Sequence, residues 1–272
     1  MINKVSHKIL VVGGGGFIGS EICRVALRGG HHVTSISRSG KPKQENPGNK
    51  DVKWVKGDAF KPETYMADLG NCDTVVHSMG ILMENDYKKV INFSPQGNGY
   101  MNEQHDIRRE NENADSVNYN TYEKMNRDSA AEAGVKTFVY ISAISNPPFI
   151  DKRYITTKRE AEDGISKYSQ FRSVFFRPVL SVPFIIKITG LVYSDSRIFT
   201  IPLAFGLKTF NFLSQKTPLG CLVKSTPLKD LDVPPVTTTE LANSVVSAIE
   251  NPELEGIISP QGILDISSKY QL

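Results

Sequence analysis

Gly13, Gly16 and Gly19 stand three residues apart in the run Val11-Val12-Gly13-Gly14-Gly15-Gly16-Phe17-Ile18-Gly19. Glycine at these positions permits a tight turn and a backbone that can approach a pyrophosphate. A helix beginning there offers unpaired N–H groups to the anion. Gly13, Gly16, Phe17, Ile18 and Gly19 are therefore candidate cofactor-binding residues. The alternative is a glycine-rich turn that binds nothing. A second constellation is Tyr154-Ile-Thr-Thr-Lys158. Tyr and Lys four apart share a helix face. An ammonium beside a phenol lowers its pKa, and the phenol can then exchange a proton with a carbonyl or hydroxyl. Ser142, twelve residues earlier, could polarise the same carbonyl. In the alternative, Tyr154 and Lys158 hold a ribose and do no chemistry.

The elements that must position these groups are legible as alternating periods. Short β-branched runs at 9–12, 33–36, 52–55 and 74–76 predict strands, and 17–27 carries an apolar helical stripe ended by Gly29-Gly30. Strand, helix and strand at this spacing make a βαβ unit and hence a parallel sheet. The alternation resumes with helix 122–133, strand 137–142, helix 154–168 and strand 173–177. A polar stretch from about 92 to 120 reads as an insertion. A last helix is expected at about 239–250, before Pro252, packing back on the core. The expected architecture is α/β, a doubly wound parallel sheet over 8–178, with 179–272 as a C-terminal capping region facing substrate or partners.

Placed on those elements, further residues acquire roles. The second strand ends in Ser35-Ile-Ser-Arg38-Ser39-Gly40-Lys41, without the acidic residue that would bond an adenosine ribose. Arg38 can accept a 2′-phosphate with its planar fork, so NADP(H) is favoured over NAD(H). Asp58, closing the third strand, can accept a hydrogen bond from the adenine amine. The turn His77-Ser78-Met79-Gly80 faces the cofactor, with Ser78 and Gly80 as contacts and His77 as a packing residue.

Composition excludes several classes. Lys and Arg number 32 against 29 Asp and Glu, a net charge of +3, too even for a dedicated nucleic-acid binder. Three cysteines without a CxxC pair argue against a disulfide scaffold, and His31-His32 has no companion ligands, so no metal is expected. No run of 18 apolar residues marks a membrane span, and residues 1–7 are too short and polar for a targeting peptide. The segment 184–213 is dense in aromatic and aliphatic residues but interrupted by Lys187, Asp195, Arg197 and Lys208. It reads as lid packing, or as an apolar channel or face lying on a bilayer.

The set GxxGxxG, Asp58, Asn126, Phe138-Val-Tyr-Ile-Ser142, YxxxK and Arg177-Pro178 resembles the short-chain dehydrogenase/reductase superfamily in its extended and atypical branch. Within it, Ser-Arg-Ser-Gly-Lys, Val-Val-His-Ser-Met-Gly and Tyr-Ile-x-x-Lys-Arg-Glu-Ala-Glu are similar to the fungal mitochondrial proteins of coenzyme Q (ubiquinone) biosynthesis. These are relatives of the NAD(P)-binding accessory subunit of respiratory complex I. The resemblance implies a nucleotide-binding Rossmann fold with Tyr154, Lys158 and Ser142 as catalytic residues. It further implies a lipid-like quinone precursor as substrate, other ubiquinone-biosynthesis proteins as partners, peripheral membrane contact, and residence on the matrix side of the mitochondrial inner membrane. It leaves open a non-catalytic assembly or regulatory subunit that holds a nucleotide. A sugar-nucleotide epimerase also fits the fold, but the apolar C-terminal segment argues against a polar substrate.

Overall fold

The computed structural model describes residues 5–42, 47–79, 120–144, 152–178, 192–193 and 236–270. In chain order these form β1 (Lys8–Val12), α1 (Phe17–Arg28), β2 (His32–Ser37), β3 (Lys53–Lys56), α2 (Met66–Leu69) and β4 (Thr74–His77). Then follow α3 (Asn120–Glu132), β5 (Thr137–Ile141), α4 (Lys152–Ser166) and β6 (Arg172–Phe176). The last elements are β7 (Val192–Tyr193), β8 (Val236–Thr237), α5 (Thr238–Glu250), β9 (Gly256–Ile258) and α6 (Pro260–Lys269).

Seven strands make one sheet in the order β3-β2-β1-β4-β5-β6-β9, every pairing parallel. The inner strands are buried on both faces, which is why β1 and β5 are continuous apolar runs. Ile9, Val11, Val76, Val139 and Val174 face one layer, where Ile22, Val25 and Ala26 of α1 and Leu241, Val245 and Ile249 of α5 close the core. Leu10, Val12, Val75, Phe138 and Tyr140 face the other layer, with Ala130 of α3 and Ala161 and Ile165 of α4. The strand order reverses between β1 and β4. Ligands bind in such a crevice, outside the carboxyl ends of the strands.

The doubly wound parallel sheet expected from the sequence is present. The expected last helix is also present, as α5, which packs on α1 and starts in a capping box: the Glu240 amide donates to Thr237 Oγ1 at 2.9 Å and the Thr237 amide to the Glu240 carboxylate at 2.6 Å. It is not the last helix, however. β9 follows and pairs with β6 as the seventh strand, and α6 packs on α5. Three residues of strand are too few to display a period of two. For α6 a signal was available: Ser259 caps the helix through the Gly262 amide at 3.2 Å, and Pro260 takes its first position. The polar stretch expected at 92–120 lies outside the described residues up to Asn120, which opens α3. The apolar segment 184–213 does too, except that Val192 and Tyr193 pair in parallel with Val236 and Thr237. No helix of the described residues is long and apolar enough to cross a membrane.

Candidate functional site

The glycine-rich turn leaves the carboxyl end of β1 and enters α1. Gly13 has φ +88°, a left-handed conformation that costs glycine little and other residues much. Its amide donates to the Ile36 carbonyl at 3.1 Å, and Gly16 donates back to the Gly13 carbonyl at 2.9 Å, which closes the turn. Gly19 is needed for a different reason. A Cβ there would overlap the Gly13 carbonyl oxygen and lie 2.7 Å from Ser78 Oγ and 2.8 Å from Gly14 Cα. The helix therefore sits directly on the turn and on the end of β4. Gly16, at the N-cap position, has no side chain to cap the helix, and the first turn of α1 holds no acidic residue. The positive end of a helix dipole favours an anion. Phe17 and Ile18, the first helical residues, are half-buried.

The turn after β2 is built as firmly. Gly40 has φ +64°, its amide donates to the Ser37 carbonyl at 3.1 Å, and the Gly57 amide donates to the same oxygen at 3.0 Å. Arg38 and Ser39 are exposed on this turn, Ser39 Oγ donates to the Lys41 carbonyl at 2.8 Å, and Arg38 makes no ion pair with a described residue. Asp58 stands beside it. One of its carboxylate oxygens accepts from the Phe60 amide at 3.0 Å, holding the residues after β3 in a turn.

Across the reversal point, Ser78 spends its hydroxyl on the Val12 carbonyl at 2.9 Å, locking the ends of β1 and β4 together. Gly80 lies outside the described residues. Lys158 rises from α4, buried, with Nζ donating to the Ile141 carbonyl at 3.2 Å and to the Met79 carbonyl at 3.5 Å, and standing 4.5 Å from the centre of the Tyr140 ring. The backbone ends of β4 and β5 thus hold the ammonium at the crevice. His77 is fully buried against Tyr140, with neither ring nitrogen bonded to a described residue. Burial, and then the Lys158 charge, pulls its pKa down to about 3, so the imidazole is neutral. Tyr154 falls one turn before Lys158 in α4, and its side chain lies outside the described residues.

Ser142 follows β5, buried, with its amide donating to the Phe176 carbonyl at 2.7 Å. Its Oγ accepts from Arg159 Nη1 at 3.2 Å. Arg159 also donates to the carbonyls of Ala143 at 2.6 Å and Ile144 at 2.8 Å, and to Glu162 Oε1 at 2.8 Å. Glu162, almost wholly buried, accepts from Arg177 as well, from Nε at 3.0 Å and from Nη2. Sequence reasoning missed this Arg159–Glu162–Arg177 network as a unit. Its signals were the Arg–Glu pair three apart in Lys158-Arg-Glu-Ala-Glu162 and Arg177 at the end of β6. Asn126, part of the resemblance, is a brace: it accepts from the Tyr65 hydroxyl and donates to the Ala59 carbonyl at 3.2 Å.

The structure thus brings the glycine turn, Ser78 and Lys158 to one crevice, with Arg38 and Asp58 at its β2–β3 side and Ser142 at its β5 side. These residues fit a dinucleotide. The turn has no room for a side chain at Gly19, the first turn of the helix above it holds no acidic residue, and the Lys158 ammonium stands at the ends of β4 and β5.

A parallel sheet with a glycine-rich turn at its reversal point defines a dinucleotide-binding protein of the short-chain dehydrogenase/reductase type. Residues 13–180 match the family model described as NAD(P)H-binding, and the chain belongs to that family. Over 94% of its length the chain is 33% identical to MIOREX complex component 2 of Saccharomyces cerevisiae, covering 98% of that protein. It is 30% identical over 98% of its length to an uncharacterised chloroplastic protein of Arabidopsis thaliana, of which it covers 79%. In fold it is similar to the UDP-glucose 4-epimerase of Brucella ovis in complex with NAD, with a TM-score of 0.55 at 15% identity, over 96% of this chain and 81% of that one.

Proposed function

We propose that the protein is an NADP(H)-dependent oxidoreductase of mitochondrial ubiquinone biosynthesis, acting on a carbonyl or hydroxyl of a lipid-like quinone precursor. The observation that carries the chemical part is the Lys158 ammonium, buried against the carbonyls of Ile141 and Met79 at the ends of β5 and β4. A nicotinamide cofactor, when bound, supplies or accepts the hydride. Lys158 holds its ribose and stabilises the phenolate form of Tyr154, which stands one helical turn away. Tyr154 gives or takes the proton at the substrate oxygen, and Ser142 polarises that oxygen. Arg38 pairs with the 2′-phosphate, Asp58 accepts from the adenine amine, and the start of α1 takes the pyrophosphate.

The pathway, the quinone substrate, the other biosynthetic proteins as partners and the inner-membrane site rest on the resemblance carried by the motifs above. The chloroplastic relative supports an organellar home, and the apolar stretch 184–213 suits an isoprenoid tail or a bilayer surface. A second reading, a nucleotide-holding component of an assembly, is favoured by one observation: Ser142 is buried and already bonded by Arg159. The naming of the yeast relative as a complex component agrees with it.

Tyr154→Phe separates the two readings. It keeps the ring and removes the proton-transfer group, so NADPH binding should persist while turnover of a quinone falls by about 10²–10⁴. Wild-type protein that binds NADPH and transfers no hydride to quinone intermediates would leave the assembly reading in its place.

A further inference from the structure

The hydrogen bonds around Ser142 have a direction. A guanidinium carries N–H donors only and cannot accept. In its contact with Arg159, Ser142 Oγ is therefore the acceptor, and its own proton has no acceptor among the described residues. Accepting from a cation also polarises the O–H and strengthens it as a donor. The backbone of Ser142 is pinned to β6 through its amide and the Phe176 carbonyl. The next two carbonyls, of Ala143 and Ile144, are held by the other end of the same guanidinium. Glu162 neutralises that guanidinium from within the core, and Arg177 ties Glu162 to the end of β6. Arg159 thus makes one hydrogen bond to Ser142 and three to the groups around it.

We propose that Arg159 is a positioning residue: it sets Ser142 as a hydrogen-bond donor and so selects a substrate that presents an acceptor oxygen, a carbonyl or the alkoxide formed from it. This rests on the oxidoreductase reading above and adds the residue that gives the serine its polarity.

The test uses the full chain, NADPH, and 2,3-dimethoxy-5-methyl-1,4-benzoquinone as a carbonyl probe. Ser142→Ala and Arg159→Gln each lower kcat for NADPH oxidation by about 10²-fold, with NADPH affinity within about twofold of wild type, as for a residue outside the nucleotide site. The double variant is no slower than the slower single one. Arg159→Lys keeps a donor-only cation near Ser142 and recovers part of the loss; it carries the same comparison should Arg159→Gln not fold. A second readout does not depend on turnover. The carbonyl stretch of the bound probe, in infrared difference spectra, moves to lower frequency in the wild type and returns to its free position in both single variants. Losses that multiply in the double variant, or an Arg159→Gln protein with unchanged kcat and an unchanged carbonyl band, would overturn the role of Arg159 and leave the oxidoreductase reading standing. A wild-type protein that binds NADPH but neither oxidises it with the probe nor shifts the band would overturn that reading and this inference together.

Discussion

The two ends of the crevice are made of different materials. The β1–α1 end is backbone: a left-handed Gly13, a Gly19 with no room for a Cβ, and a first helical turn without an acidic residue. The β5–α4 end is charge: Lys158 on two carbonyls, and Arg159, Glu162 and Arg177 in one network. A site made of backbone needs only the absence of side chains at fixed spacing. A site made of charges needs partners from three separate elements. The first arrangement tolerates almost any sequence around it, whereas the second fails if one partner is lost.

Glu162→Ala should break the contrast most severely. It leaves the Arg159 and Arg177 guanidinium groups facing one another without their shared carboxylate. Loss of one partner from a buried pair costs about 3–5 kcal/mol. The arginines are partly exposed, at 28% and 22% of their side chains, which puts the expected loss near the low end of that range, measurable by urea denaturation.

Gly19→Ala probes the other end. The added methyl must push α1 away from the turn, an overpacking cost of about 1–3 kcal/mol. NADPH affinity should fall by at least about tenfold as the helix end withdraws from the phosphates. Alanine at Gly29, at the far end of α1, has contacts of 3.1–3.2 Å that side chains can relieve; in calorimetric titration it should bind NADPH as wild type does.

Arg38→Ala sharpens the comparison because it removes a positive charge placed toward the backbone end. Losing a charge-assisted bond to the 2′-phosphate should cost about 1.5–3 kcal/mol for NADPH and little for NADH. Equal loss for both nucleotides would remove the case for Arg38 as the selector.

How much of this was legible follows the same division. The glycine turn, the parallel sheet around it and the positions of Lys158 and Ser142 could be read because each is a local pattern: spacing, period, or i and i+4 on a helix. That Arg159 bonds Ser142, or that Ser78 spends its hydroxyl on Val12, could not be read. Those contacts join residues 17 and 66 positions apart through the sheet register. β9 escaped because three residues carry no periodicity, and its pairing with β6 is a tertiary choice.

The last expected effect, absent at neutral pH and felt only in acid, concerns His77, the neutral group beside the charged end. Its folded pKa of about 3 lies below the ordinary histidine value of 6.5, so between these values the unfolded chain binds a proton that the folded one excludes. Stability should be fullest above pH 6.5 and fall as pH drops from there toward 3, with a His77 contribution of at most about 1.4 kcal/mol per pH unit. His77→Phe should flatten the stability profile between pH 4 and 6 by one proton. An unchanged slope would mean that His77 titrates alike in the folded and unfolded chains.

The central claim is that the two ends form one NADP(H) site. Equilibrium titration of the full chain with NADPH and NADH, followed by nucleotide fluorescence, tests it most directly. Both nucleotides should bind, NADPH at least about tenfold more tightly, with Arg38→Ala erasing the difference and Gly19→Ala weakening both. Binding of neither nucleotide, or tighter binding of NADH, would contradict it.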